Sequence, residues 1–206
     1  MILYIETNFL MSIAKGQDPD ANTLLESTPQ SVCIAIPGIC YVEALSTWET
    51  EKKYNQKFEL ELDKQISEAS RNLASPQTKS LIYHLQQSKM EHEALTNDIE
   101  VRLKGSIEKT LERANIIQLN EDIIQEISEN FLHNPPTLTI KKDLLDNLIL
   151  RCILNDARLH PREVKVFLSA NSKDFGKPEV QAALRDAGIN NYFSSTQNFL
   201  GWLQSQ

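Results

Sequence analysis

Acidic side chains are scattered along this chain at positions where secondary structure would deliver them to one place. Glu6 closes an apolar run, Ile2-Leu3-Tyr4-Ile5, and Thr7 and Asn8 follow it before the apolar pattern resumes. Glu43 sits in the second turn of a helical pattern that opens after Pro37-Gly38. Asp143 and Asp146, three apart, share one face near the start of an apolar helix, and Asp146 lies at the edge of its apolar stripe, where solvent is partly excluded. Asn171, Ser172 and Asp174 follow the strand-like run VKVFLSA. Carboxylates that converge in a partly buried site repel one another and lose hydration, so they call for a cation. A histidine-free, all-oxygen set suits Mg²⁺ or Mn²⁺ rather than zinc. Beside a phosphodiester, such an ion activates water and stabilises the charge that builds up on phosphorus.

That convergence requires a parallel sheet, because in an open parallel sheet ligands gather beyond the carboxyl ends of the strands. The chain meets the requirement at both ends. Residues 1–6 read as a buried strand, followed by a helix from Asn8 to Lys15 with Gly16 as its stop. A short helix over 20–27 leads to a second strand, VCIAI at 32–36, and a helix from Ile39 through Trp48. In the last third a helix over 139–158, with Thr139 as its N-cap, precedes a third strand at 164–170. A helix at 178–189, a short strand NYFSS and a closing helix TQNFLGWLQ complete the alternation. Between about 50 and 115 the composition shifts to Glu, Lys, Gln and Leu, with Pro76 in the middle. This reads as two long amphipathic helices inserted as a hairpin. A further helix covers about 121–132, ended by a turn at His133 to Pro136.

Bulk properties narrow the class. A chain of 206 residues fits one domain, residues 1–206, including the hairpin. Hydrophobic residues at 41% and charged residues at 24% are globular values, and no apolar run is long enough to span a bilayer. With no secretory leader pattern, the expected location is cytoplasmic, without membrane contact. The three cysteines, Cys33, Cys40 and Cys152, show no paired spacing and read as reduced thiols in apolar surroundings. A net charge of −7 argues against indiscriminate phosphate binding. The stretch from Lys141 to Arg185, however, carries nine bases against six acids. The four histidines form no ligand pattern, and no nucleophile elbow, P-loop or dinucleotide fingerprint occurs. Trp48 and Trp202 fall at helical apolar positions and read as packing residues.

Four segments, taken in order, resemble the PIN-domain ribonucleases. YIETNFLM resembles their first strand, which ends in an acidic residue followed by Thr or Ser and Asn. PGICYVEAL resembles their second acidic site, DNLILRCILNDA the third, and VFLSANSKDF the loop that carries the fourth. The hairpin makes the chain similar to larger bacterial members. The resemblance implies a three-layer α/β fold, with a central parallel sheet and helices on both faces, plus the helical hairpin insertion. It also implies a metal-dependent endoribonuclease, with Mg²⁺ or Mn²⁺ held by Glu6, Glu43 and Asp146, and with Asp174 or Ser172 at the fourth position. Thr7 and Asn8 would orient the first carboxylate, Asp143 and Asn171 would support the site, and Lys141, Lys142, Lys173 and Lys177 would receive the RNA backbone. The partners implied are RNA and, through the hairpin, an antitoxin-like protein or a second copy of the chain, as in toxin-antitoxin pairs.

Two departures from the family pattern are visible. Glu6 replaces an aspartate, adding a methylene that shifts a ligand oxygen by about 1.5 Å. Ser172 aligns with the fourth acidic position, and the acidic residue comes two places later as Asp174. Both departures favour an alternative, a catalytically degenerate PIN-like module that binds RNA or a protein partner.

Overall fold

The computed structural model describes residues 1–72, 74–133, 139–140 and 143–206. Five strands form one all-parallel sheet: β1 (Ile2–Ile5), β2 (Cys33–Pro37), β3 (Asn115–Ile117), β4 (Lys165–Leu168) and β5 (Asn191–Phe193). Their spatial order is β3-β2-β1-β4-β5. The connections therefore run outward from β1 on one side, then return to its other side at β4. That reversal places a crevice beyond the carboxyl ends of β1 and β4, where open α/β sheets bind ligands. The register brings Ile5, the last residue of β1, beside Leu168, the last of β4, so whatever follows each strand enters the crevice together.

Helices surround the sheet: α1 (Thr7–Ala14), α2 (Pro19–Glu26), α3 (Ile39–Ser70), α4 (Gln77–Arg113), α5 (Glu121–His133), α6 (Leu144–Leu159), α7 (Ser172–Phe175), α8 (Pro178–Asp186) and α9 (Thr196–Gln204). The central strands are buried on both faces and are apolar apart from Lys165 at the start of β4, as a covered parallel sheet requires. Gly16, at φ +66°, ends α1 as expected. Trp48 is buried, and Trp202 packs against Phe193 and Phe199.

Several expectations need correction. The hairpin of two long helices is present, but its first helix is the same one that follows β2 rather than a new one beginning near residue 50. One helix runs unbroken from Ile39, because no glycine or proline falls between Ile39 and Ser75 to interrupt it. The hairpin is thus an elongated crossover between β2 and β3. The strand β3 itself escaped notice, being three residues long. The short helix α7 after β4 was also unforeseen. The helix containing Asp146 starts at Leu144 rather than at Thr139, and its N-cap is Asp143, whose carboxylate accepts the Asp146 N–H at 3.0 Å. Cys33 is exposed rather than set in apolar surroundings, whereas Cys40 and Cys152 are buried; all three are free thiols. The expected turn at His133 to Pro136 falls mainly outside the described residues.

Lys165, on the central strand β4, is buried and donates to two carbonyls instead of a carboxylate. These are Ala157 at 2.8 Å, in the last turn of α6, and Ala187 at 3.3 Å, the C-cap of α8. Both are helix C-terminal carbonyls carrying the negative end of a macrodipole, so one ammonium ties two helix ends to the sheet. Lys165→Met should therefore destabilise the fold by about 2 kcal/mol, since charge-assisted bonds are lost and two carbonyls are orphaned. Chemical denaturation should show a lower midpoint with unchanged slope.

Candidate active site

Glu6 is the first residue after β1 and the N-cap of α1. Its backbone is extended, at φ −132°, and its Oε2 accepts the Asn8 N–H at 2.6 Å. A strand that ends in a helix start leaves orphan N–H groups pointing at the capping side chain, which explains the acidic residue at this junction. Asn8 thus holds Glu6 through its backbone N–H. Thr7 reaches sideways, and its hydroxyl donates to Glu43 Oε2 on α3.

Asp146 arrives from the other side. It occupies the first turn of α6, and its neighbour Asn147 anchors the approach. The Asn147 amide donates to the carbonyls of Ile140 and Asp143, both at 2.5 Å, and accepts the Ile140 N–H at 3.1 Å. Asn147 was not singled out from the sequence, although its place beside Asp146 within an apolar helix is the signal that a buried amide leaves. Asn171 caps α7 and donates its amide N–H to Asp146 Oδ2 at 3.3 Å. Ser169 is a second residue missed. It is buried, its hydroxyl accepts the Asn171 N–H at 3.1 Å, and it lies next to the Glu6 carboxylate.

The electrostatics join these residues into one cluster. Glu6 is 2% exposed and Asp146 7% exposed. Burial pushes the Glu6 carboxyl up to about 7, against the help of the Asn8 N–H and the Ser169 hydroxyl, and the charges of Asp146 and Glu43 add to the rise. Burial first, then the charges of Asp143, Glu43 and Asp174, push Asp146 up to about 7, with the Asn171 amide opposing. Glu43 is raised as well, by burial and then by Asp143, while its Thr7 bond works the other way. Asp174 behaves differently. It binds Lys177 at 2.7 Å, and that bond holds its carboxyl below the usual range. Ser172 and Lys173 are exposed at the start of α7, and Lys141 and Lys142 lie outside the described residues.

Glu6, Glu43, Asp143, Asp146 and Asp174 are therefore brought within electrostatic reach of one another, beyond the ends of β1 and β4. They are not closed into a cage: among the described residues no three His, Cys, Asp or Glu side chains are grouped as they would be around an ion. Glu43 leans on Thr7, Asp143 on the α6 N-terminus and Asp174 on Lys177. The residues nevertheless fit a hard divalent cation. The donors are all carboxylate oxygens, two are buried with their protonation driven up first by burial and then by neighbouring charge, and Glu6 Oε1 is buried without a hydrogen-bond partner.

A parallel sheet wound in both directions from β1, with acidic residues gathered at its switch point, defines an α/β protein of the carboxylate-site type. A profile of the PIN domain matches residues 3–175, and the chain belongs to the PIN-domain family. Neither a comparison with curated proteins nor one with solved structures finds a significant match. PIN domains are generally nucleases that bind RNA and use divalent metals, so the chain carries a nuclease-type fold. Among the described residues no helix is long and apolar enough to cross a membrane.

The raised carboxyls have a consequence for stability. Unfolded, Glu6 and Asp146 return to ordinary values of 4.5 and 3.8. Between those values and about 7 the folded protein holds protons that the unfolded chain releases, so their contribution to stability falls as pH rises through that window. Below the window the two states bind alike and the contribution is flat. Without divalent ions, the stability of the wild type relative to Asp146→Asn should fall between pH 5 and pH 8, read from denaturation midpoints at both pH values. Adding Mn²⁺ at pH 8 should recover the loss in the wild type alone.

Proposed function

We propose that this protein is a metal-dependent endoribonuclease that hydrolyses RNA phosphodiesters at the Glu6–Asp146 cluster. The observation that supports it is the burial of two carboxylates from distant parts of the chain, near enough for the charge of Asp146 to raise Glu6, both pushed up to about 7 and one with a free oxygen. Glu6, Glu43 and Asp146 would hold Mg²⁺ or Mn²⁺, with Asp174 assisting. Such an ion supplies Lewis-acid stabilisation of the phosphate and a water acidified enough to attack it. The chain's own residues set the stage for that chemistry. The Asn8 N–H fixes one oxygen of Glu6 and leaves Oε1 free. Thr7 holds Glu43, and Asn171 orients Asp146, while Asp143 braces the helix on which Asp146 rides. Lys173 is exposed on the rim, and Lys177 is tied to Asp174 until a phosphate competes for it, so both suit contact with the RNA backbone, as do Lys141 and Lys142 by sequence. The free thiols agree with a reducing cytoplasm.

Specific observations favour a second reading, a catalytically degenerate PIN-like module that retains RNA or a protein partner, such as an antitoxin-like inhibitor. Glu6 is longer than the family's aspartate, Ser172 replaces an acid, Lys177 neutralises Asp174, and the acids among the described residues are not pre-assembled into a cage.

An RNA-cleavage assay with Mn²⁺ or Mg²⁺ separates the two. Cleavage abolished by chelator and reduced about 100-fold or more by Asp146→Asn supports the enzyme. RNA retention without cleavage, indifferent to metal and to Asp146→Asn, supports the module.

A further inference from the structure

The distal half of the hairpin is underpacked for a monomer. From Glu49 to Arg102, Leu62 is the one buried side chain among the described residues. What holds α3 to α4 there is mostly polar: Lys52–Glu100 at 2.8 Å, Asn55–Thr96 at 3.2 Å and Lys89–Asp63 at 2.7 Å. The chain exposes 11974 Å², whereas a monomer of 23.5 kDa exposes about 9800 Å² by the usual mass scaling. The excess, about 2200 Å², is more than the roughly 800 Å² that each partner buries in a standard interface.

The face of α4 turned away from α3 has an order of its own. Tyr83, Gln87, Met90, Ala94, Asn97 and Val101 recur in alternating steps of four and three, the 3.5-residue period of a coiled-coil seam. All six are exposed, the large apolar ones heavily so: Tyr83 59%, Met90 61% and Val101 69%. The series is also self-complementary when reversed. With a twofold axis beside position 92, Met90 lies opposite Ala94, Gln87 opposite Asn97 and Tyr83 opposite Val101. Large thus meets small, amide meets amide and apolar meets apolar, and an isologous interface requires every contact to be made twice in this way. Beside Val101, at the base of the hairpin, an apolar groove of about 470 Å³ opens between Leu45, Trp48 and Ile107. Antiparallel pairing would bring the Tyr83 end of each hairpin to the groove of the other.

We propose that the outer face of α4 is a docking surface for a second copy of this chain, the two α4 helices crossing antiparallel about position 92. This rests on no assumption about catalysis. Nucleic acid is a poor occupant, because Glu91, Glu93 and Asp98 flank the seam. Those same acids give the dimer a signature. Glu91 and Glu93 approach their own copies near the axis, so association strengthens as salt is raised, the reverse of an ion-paired interface.

Sedimentation of the full chain across micromolar concentrations tests this. The wild type should form a dimer, more tightly at higher salt. Met90→Glu and Ala94→Lys should each weaken it about tenfold or more, since each sets a charge against an apolar partner. Mixing the two variants should restore a heterodimer, because the new charges then face each other across the axis. Circular dichroism should show both variants folded, as the positions are exposed. A wild type that stays monomeric throughout, or a dimer that neither substitution weakens, would overturn the proposal, as would a mixture that fails to reassociate.

Discussion

The cost of burying negative charge at the carboxyl end of the central strands governs this molecule. Glu6 and Asp146 are both almost inaccessible to water, and Glu43, Asp143 and Asp174 stand near enough to raise or modulate them. Desolvation alone makes a carboxylate in such a place expensive, and a second carboxylate compounds it. The polypeptide offsets part of the cost with single, specific donors: the Asn8 N–H, the Thr7 hydroxyl and the Asn171 amide. Those donors leave Glu6 Oε1 unserved. A divalent cation would supply what the protein omits.

The fold is arranged so that this cost falls in one spot. Because β1 is central and β4 pairs with it in parallel, Glu6 and Ser169 emerge side by side. The crossover from β2 brings α3, and so Glu43, over the same edge, and the Asn147 clamp sets the start of α6 so that Asp146 points inward. Lys165 serves the opposite end of the same architecture, gathering the C-termini of α6 and α8. The long helices α3 and α4 are continuous with this framework, so whatever docks on the hairpin bears on the helix that carries Glu43.

Much of this was legible in the residues. The strand-helix alternation, the acidic strand end at Glu6, the partial shielding of Asp146 and the helix stop at Gly16 follow from local patterns that tertiary packing does not override. What escaped has physical reasons. The three-residue strand β3 has too short a run to show periodicity. The start of α6 was misplaced because Thr139 and Asp143 are both capping residues, and only the Asn147 clamp, a long-range set of bonds, distinguishes them. Ser169 carries no pattern of its own, as its importance arises from pairing between β1 and β4. The exact partners of Glu43 and Asp174, Thr7 and Lys177, depend on rotamers that spacing does not specify.

Calorimetric titration of Mn²⁺ into the wild type and Asp146→Asn near pH 7, in two buffers of different ionisation enthalpy, probes the buried cluster as a metal site. The wild type should bind with net proton release, because an ion held there would displace protons from carboxyls raised to about 7, and the variant should lose both. Binding of equal strength in both proteins, or none in either, would contradict the claim that the buried carboxylate cluster is a metal site.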